Sequence, residues 1–215
     1  GTRVPVTGTT YNLTGLSAAT SYCVFVREIC AAGDTSLWAG PSCFNTLCPP
    51  VITAPYSTGF ENISTGQQAQ WENCWTSPSP NGPNWQAQTA SGGNQGSLNT
   101  GPFYDATNPG VAGGTYVYLE TSTSSGQHDL ESPYIDVSGL ANPELEYYYH
   151  MYGTAMGTLE VYAEDQSGSR TFLASIVGQQ MTAGSDPFVA RTVSLTAVPA
   201  TTFRIVFVGI RGTSF

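Results

Sequence analysis

Lysine is missing altogether, and all six basic residues among the 215 are arginine. Charged residues make up only 10%, yet fifteen acids leave a formal net charge of −9 at pH 7. Nucleic-acid binding needs clustered cations to neutralise phosphate, so that class is excluded. An anionic membrane surface is disfavoured for the same reason. Isopeptide-stapled adhesins need a lysine and are excluded too. No apolar run approaches the ~20 residues of a transmembrane helix. With so few charges, the fold is expected not to rest on ion-pair networks, and its stability to change little with moderate salt. Helix signals are also scarce, because no stretch combines i, i+3, i+4, i+7 apolar spacing with caps. What is abundant is a 40% hydrophobic and 12% aromatic content, enough to fill a core. Glycine (24) and proline (14) are plentiful as well, as expected of short strands joined by turns.

Strand-like runs rich in β-branched and aromatic residues occupy 22–26, 116–120, 145–151, 157–163, 172–177, 189–195 and 203–210. Turn clusters separate them, among them Asn108-Pro109-Gly110, Gly113-Gly114, the stretch 165–169 and the stretch 183–187. This pattern predicts an all-β sandwich. Pro49 and Pro50 cannot donate to a strand ladder and mark a boundary. Residues 77–100, rich in Gly, Pro, Ser, Asn and Gln, read as a long functional loop around Trp85. Strand-like sequence lies close to both ends, so a piece of a longer chain is expected.

The five cysteines fall at 23, 30, 43, 48 and 74. None forms a CxxC pair, and only His128 and His150 could complete a zinc site, so disulfides in an oxidising compartment are the better reading.

Residues 1–48 resemble the C-terminal half of a fibronectin type III module. The stretch Leu16-Ser17-Ala18-Ala19-Thr20-Ser21-Tyr22, with Val24 and Val26 after it, carries the likeness. It implies a tyrosine corner, with the Tyr22 hydroxyl bonded back to the preceding turn. Ala18 stands where the family has proline. Half a sandwich exposes its inner face, so this segment is not expected to be stable alone. In this frame Cys30 and Cys43 face each other across a hairpin. Cys48 and Cys74 then staple the two modules, closing a loop of about 26 residues worth ~3–4 kcal/mol in the chain-entropy model. Cys23 is then the odd thiol, with a Cys23–Cys48 pairing as the alternative.

Residues 55–215 resemble a MAM domain of the kind found in secreted, multidomain Bacteroidetes proteins. The motifs, in order, are Gly59-Phe60-Glu61-Asn62, Cys74-Trp75, the stretch 100–107 and Gly114 through Glu120. Leu130-Glu131-Ser132-Pro133 follows, then Leu145 through Gly153 and Met156 through Val161. The family's closing strand is absent before Phe215, and Cys74 is the one cysteine in the stretch. The expected architecture is a partial fibronectin type III sandwich (1–48), a linker (49–54) and a MAM-type jelly-roll sandwich (55–215).

The MAM resemblance implies a structural cation near the start of the domain. Glu61, Asp105 and Thr107 are the expected ligands, and Ca²⁺, which seeks six to eight oxygens, is the expected ion. The plain alternative has Asp105 capping its own turn and Glu61 in solvent. Trp85 and Tyr104 are the two aromatic residues placed to meet a sugar face, although large rings fill cores first. His150 reads as structural between Tyr149 and Tyr152. His128-Asp129 reads as a polar turn. No nucleophile elbow is present. Glu144 and Glu146 share a strand face, and Asp129 and Glu131 share another, but no cleft is implied.

The expected function is therefore a non-catalytic extracellular adhesion or assembly module of a larger secreted or cell-surface protein. Its expected partner is a protein or a second copy of itself, and a type IX export route is implied. The alternatives are a carbohydrate-binding module and an accessory domain of a secreted protease or glycosidase.

Overall fold

Alternating β-branched and aromatic positions favour extended backbone. The computed structural model describes residues 2–31, 33–61, 63, 65, 74–78, 85–93, 100–122 and 126–213, and among these there is no α-helix. The chain folds as two units, Gly1–Pro49 and Pro50–Phe215.

The first unit holds β1 (Ser21–Val26), β2 (Ile29–Ala31), β3 (Asp34–Thr35) and β4 (Ala39–Asn45). β1 pairs antiparallel with β4, and β2 with β3. The Tyr22 hydroxyl accepts from the Ser17 N–H at 2.9 Å, which closes the corner before β1. No described residue of this unit is buried; Phe25, Val26 and Ile29 are all more than half exposed.

The cysteine pairing differs from expectation. β4 lies against β1 rather than β2, so Cys43 sits directly opposite Cys23, with 4.0 Å between Cα atoms, and those two form the disulfide. Cys30 occupies the irregular step of β2 and is a free, exposed thiol. Cys48 and Cys74 are disulfide-bonded.

The second unit holds β5 (Ile52–Thr53), β6 (Trp85–Thr89), β7 (Thr115–Leu119), β8 (Gln127–Glu131), β9 (Ile135–Asp136), β10 (Glu144–Tyr149), β11 (Thr158–Asp165), β12 (Arg170–Val177), β13 (Val189–Ser194) and β14 (Thr202–Ile210). One layer is a six-stranded sheet ordered β12-β11-β14-β9-β5, with β8 also on β14. The pairs β10–β13 and β6–β7 pack against it. The stretch 49–54, expected as a linker, holds β5. Ile52 and Thr53 run parallel to β9, the Ile52 N–H donates to the Tyr134 carbonyl at 2.8 Å, and Ala54 packs on the core.

Inward residues of β11, β12 and β14 (Val161, Ala163, Ala174, Ile176, Phe203 and Ile205) meet Tyr147, Met151 and Leu195 in one cluster. Trp75, Trp85 and Leu130 form the second, and Phe207 packs against both. Phe207 stacks with Trp75 at 6.2 Å and meets Tyr147 edge-on at 5.3 Å.

The outer face of the large sheet corrects the expectation about ion pairs. Arg170, Glu164, Arg204 and Glu131 come from β12, β11, β14 and β8, four strands in order across the sheet, and they form a row of alternating charge. Arg170 also reaches Asp129 at 2.7 Å. Few charges are present, but the long-range register gathers five of them in one place.

Candidate functional site

The chain enters the second unit's first loop through Phe60, whose φ of 60° is unusual for a ring residue. Its ring packs edge-on against Trp75 at 5.1 Å, which holds the turn in place. Glu61 follows directly. Its Oε2 accepts from the Thr115 N–H at the start of β7, at 3.2 Å. Asp105 comes from the loop before the Gly113-Gly114 turn and is 2% exposed. Its Oδ1 accepts from the Asn108 N–H at 2.6 Å, the turn-capping contact expected of an aspartate there.

Glu61, Asp105 and Thr107, predicted together from the sequence, meet at one point. Thr107 Oγ1 lies 2.7 Å from Glu61 Oε1 and 2.6 Å from Asp105 Oδ2. It also accepts from the Asn108 side-chain amide at 3.1 Å. A hydroxyl has one proton and cannot donate to both carboxylates. Burial pushes the Asp105 carboxyl up, but hydrogen bonds from Thr107, Asn108 and Glu61 outweigh it and hold its pKa below the ordinary carboxylate value. The cluster is rich in oxygen and short of protons, a donor set that suits a hard cation. Among the described residues no group of three or more His, Cys, Asp or Glu is placed to hold a metal ion, so carbonyls and water would have to complete any shell.

Sequence reasoning missed Gly114. A Cβ there would collide with the Asp105 carboxylate. The Gly-Gly pair carried a signal, but as a turn; its role here is close approach.

The aromatic candidates do not form a platform. Trp85 lies in β6 rather than a loop, is only 9% exposed, and its indole N–H donates to the His128 carbonyl at 2.9 Å. Tyr104 is half-buried, edge-on to Phe103 at 6.4 Å. Trp71, 79–84 and 94–99 lie outside the described residues.

His128 is in β8, not a turn, and burial pushes its pKa down against the pull of Asp129. His150 stands 5.4 Å from the Phe188 ring, and its buried ring nitrogens lie beside the Ala183 and Asp186 backbone without a well-formed hydrogen bond among the described residues. Burial lowers its pKa too, against the pull of Asp186. Asp165 is a hairpin turn residue, accepting from the Ser167 and Ser169 N–H groups.

A family model described as MAM domain, meprin/A5/mu, matches residues 58–215. Two curated relatives, from mouse and rat, are each described as MAM domain-containing glycosylphosphatidylinositol anchor protein 2. Each is 29% identical over 218 residues, covering 94% of this chain and 20% of the relative. The chain therefore spans about a fifth of the length of these relatives. Among the described residues no helix is long and apolar enough to cross a membrane.

Proposed function

Residues 58–215 make this chain a member of the MAM (meprin/A5/mu) family, a family of non-enzymatic adhesion-type domains, and from that premise we propose that it works as an adhesion or assembly module of a larger extracellular protein, by protein–protein contact. The family match carries this reading. The Cys23–Cys43 disulfide supports an oxidising, extracellular setting. Burial of Trp85 speaks against the carbohydrate alternative, because its ring is not open to a sugar.

Residues 1–48 are read as half of a fibronectin type III module, supported by the Tyr22–Ser17 corner and the β1–β4 pair. Secretion by a type IX route in a Bacteroidetes host rests on the likeness of the paired modules alone.

The test of adhesion is to display the chain on beads and measure tethering to cells, beside a polysaccharide array. Tethering lost when the cell surface is treated with protease supports protein–protein contact. Tethering that survives that treatment, together with specific array hits, overturns it in favour of carbohydrate.

A structural Ca²⁺ belongs to the same proposal. Glu61 Oε1, Asp105 Oδ2 and Thr107 Oγ1 would hold it, and its charge would replace the protons the cluster lacks. An ion bound only by the folded state stabilises by about 2.7 kcal/mol at a hundredfold excess over Kd. A chelator is expected to lower the melting midpoint by about 5–10 °C on that basis. Asp105→Asn is expected to abolish the difference. An unchanged midpoint in the unmutated chain would sink the cation.

A further inference from the structure

The six-stranded sheet ends on β5 at one side and on β12 at the other. An edge strand offers unpaired N–H and C=O groups to any other strand, and native proteins blunt such edges. β5 is two residues long, too short to serve as a template. β12 is eight residues long. Its stretch 171–177 holds no charge and no proline and is made mostly of β-branched and apolar residues. Within it Phe172 is 57% exposed and Val177 70%. A segment of that composition on an open edge is the kind that pairs with copies of itself.

Pairs in an antiparallel ladder alternate between bonded and non-bonded. The β11–β12 hairpin is closed by a bond at each end. The Asp165 N–H donates to the Ser169 carbonyl at 3.0 Å, and the Gly178 N–H donates to the Gly157 carbonyl at 2.8 Å. The bonded positions of β11 are therefore the odd-numbered ones, and opposite Leu159 stands Ile176. Ser175 and Val177, opposite Glu160 and Thr158, turn their backbone groups outward, where no described strand lies. Both outward carbonyls are taken by side chains. Arg191 reaches across from β13, in the other layer, and its Nη1 donates to the Ser175 carbonyl at 3.0 Å. Gln180, just past the strand, donates from Nε2 to the Val177 carbonyl at 2.9 Å. Arg191 forms no ion pair among the described residues, so one of only six arginines is committed to this carbonyl. Further back, the register slips between Val161 and Tyr162 and leaves Leu173 without a partner. Such an irregularity also turns an edge away from pairing.

We propose that Arg191 and Gln180 guard the β12 edge: by occupying the Ser175 and Val177 carbonyls they keep another strand, above all β12 of a second copy, from adding to the sheet. This role is separate from the adhesion reading and does not rest on it. An incoming strand needs those two carbonyls as acceptors for its own N–H groups. At Ser175 it meets a guanidinium, and a charged donor makes the stronger bond, so a neutral N–H does not displace it on even terms. Displacement would also leave Arg191 without its acceptor on the inward side of β13, where Tyr147 is its partner across the ladder.

Amide hydrogen exchange on the full chain reads the edge directly. Ser175 and Val177 are expected to exchange at least about a hundredfold faster than Ile176 between them. The double variant Arg191→Ala, Gln180→Ala is expected to form larger species in sedimentation over a concentration series. Exchange at Ser175 and Val177 is then expected to slow at least about tenfold, as an added strand covers them. Adding Val177→Lys, which places a charge on the edge, is expected to reverse both changes to within about twofold. Arg191 faces inward, so its removal also bears on stability. Gln180 is exposed, and Gln180→Ala alone is expected to slow exchange at Val177 about threefold in concentrated solution. Slow exchange at Ser175 and Val177 in the dilute unmutated chain overturns the proposal. A folded double variant that sediments and exchanges like the unmutated chain overturns it, as does a concentrated Gln180→Ala chain with exchange at Val177 unchanged. Assembly that Val177→Lys leaves untouched overturns it too, because that assembly comes from unfolding rather than from the edge.

Discussion

Gly114 does not lie in the left-handed region, so space rather than backbone freedom demands glycine there. Its missing Cβ is where the Asp105 carboxylate runs, and Asp105 in turn holds Thr107 and the Asn108 amide. Gly114→Ala is expected to cost about 1–3 kcal/mol through that overpacking. It should also remove any effect of chelator, because Asp105 must move. Urea denaturation of the pair reads the first, and repeating it with chelator reads the second. Glu61, Asp105 and Thr107 were legible in the sequence through the family motifs around them. Gly114 was not, since a glycine needed for a turn and one needed for close approach look alike. Trp85 was misplaced because Pro and Gly surround it. Burial and an indole hydrogen bond, neither visible in sequence, place it in the second core cluster.

At the scale of elements, seven of the strands matched sequence runs rich in Val, Ile, Tyr and Phe. β6 and β8, whose sequences are Trp-Gln-Ala-Gln-Thr and Gln-His-Asp-Leu-Glu, did not. Strand propensity reflects fit to a half-buried surface, and their polar residues meet partners from distant sequence. Gln86 accepts from the Tyr118 hydroxyl at 2.7 Å, and Glu131 pairs with Arg204. The ion-pair row is the clearest case. Its acids are 7–8% exposed, and Val206 and Val208, on the same sheet face, are 0% exposed. Burial pushes the Glu131 carboxyl up despite Arg204, whereas for Glu164 the two arginines outweigh burial and hold the pKa down. Arg204 is thus the partner of two buried carboxylates and lies over the Tyr134 ring at 5.5 Å. Arg204→Ala leaves Glu131 without an arginine and Glu164 with Arg170 alone, and is expected to cost ~3–5 kcal/mol. A loss below ~1 kcal/mol in equilibrium unfolding would mean that the acids simply take up protons or water.

For the molecule as a whole, pH acts through both histidines. Their folded pKa values are pushed below the ordinary 6.5 by burial, so protonation favours the unfolded chain. The stability they contribute is complete above pH 6.5 and is lost as pH falls through their lower folded values. The melting midpoint is expected to fall between about pH 7 and pH 5, and less steeply in His150→Gln. A midpoint constant over that range would contradict the assignment. By itself the sequence determined an all-β chain with a boundary at Pro49-Pro50, since local alternation and proline chemistry act over neighbouring residues. It also marked Glu61 and Asp105, which meet at Thr107, through ordered motifs. Only the tertiary structure decided that Cys23 rather than Cys30 meets Cys43, that five scarce charges share one sheet face, and that Arg191 reaches the edge of β12. Each of these depends on which strand lies beside which, and that register is set by packing among residues far apart in the chain.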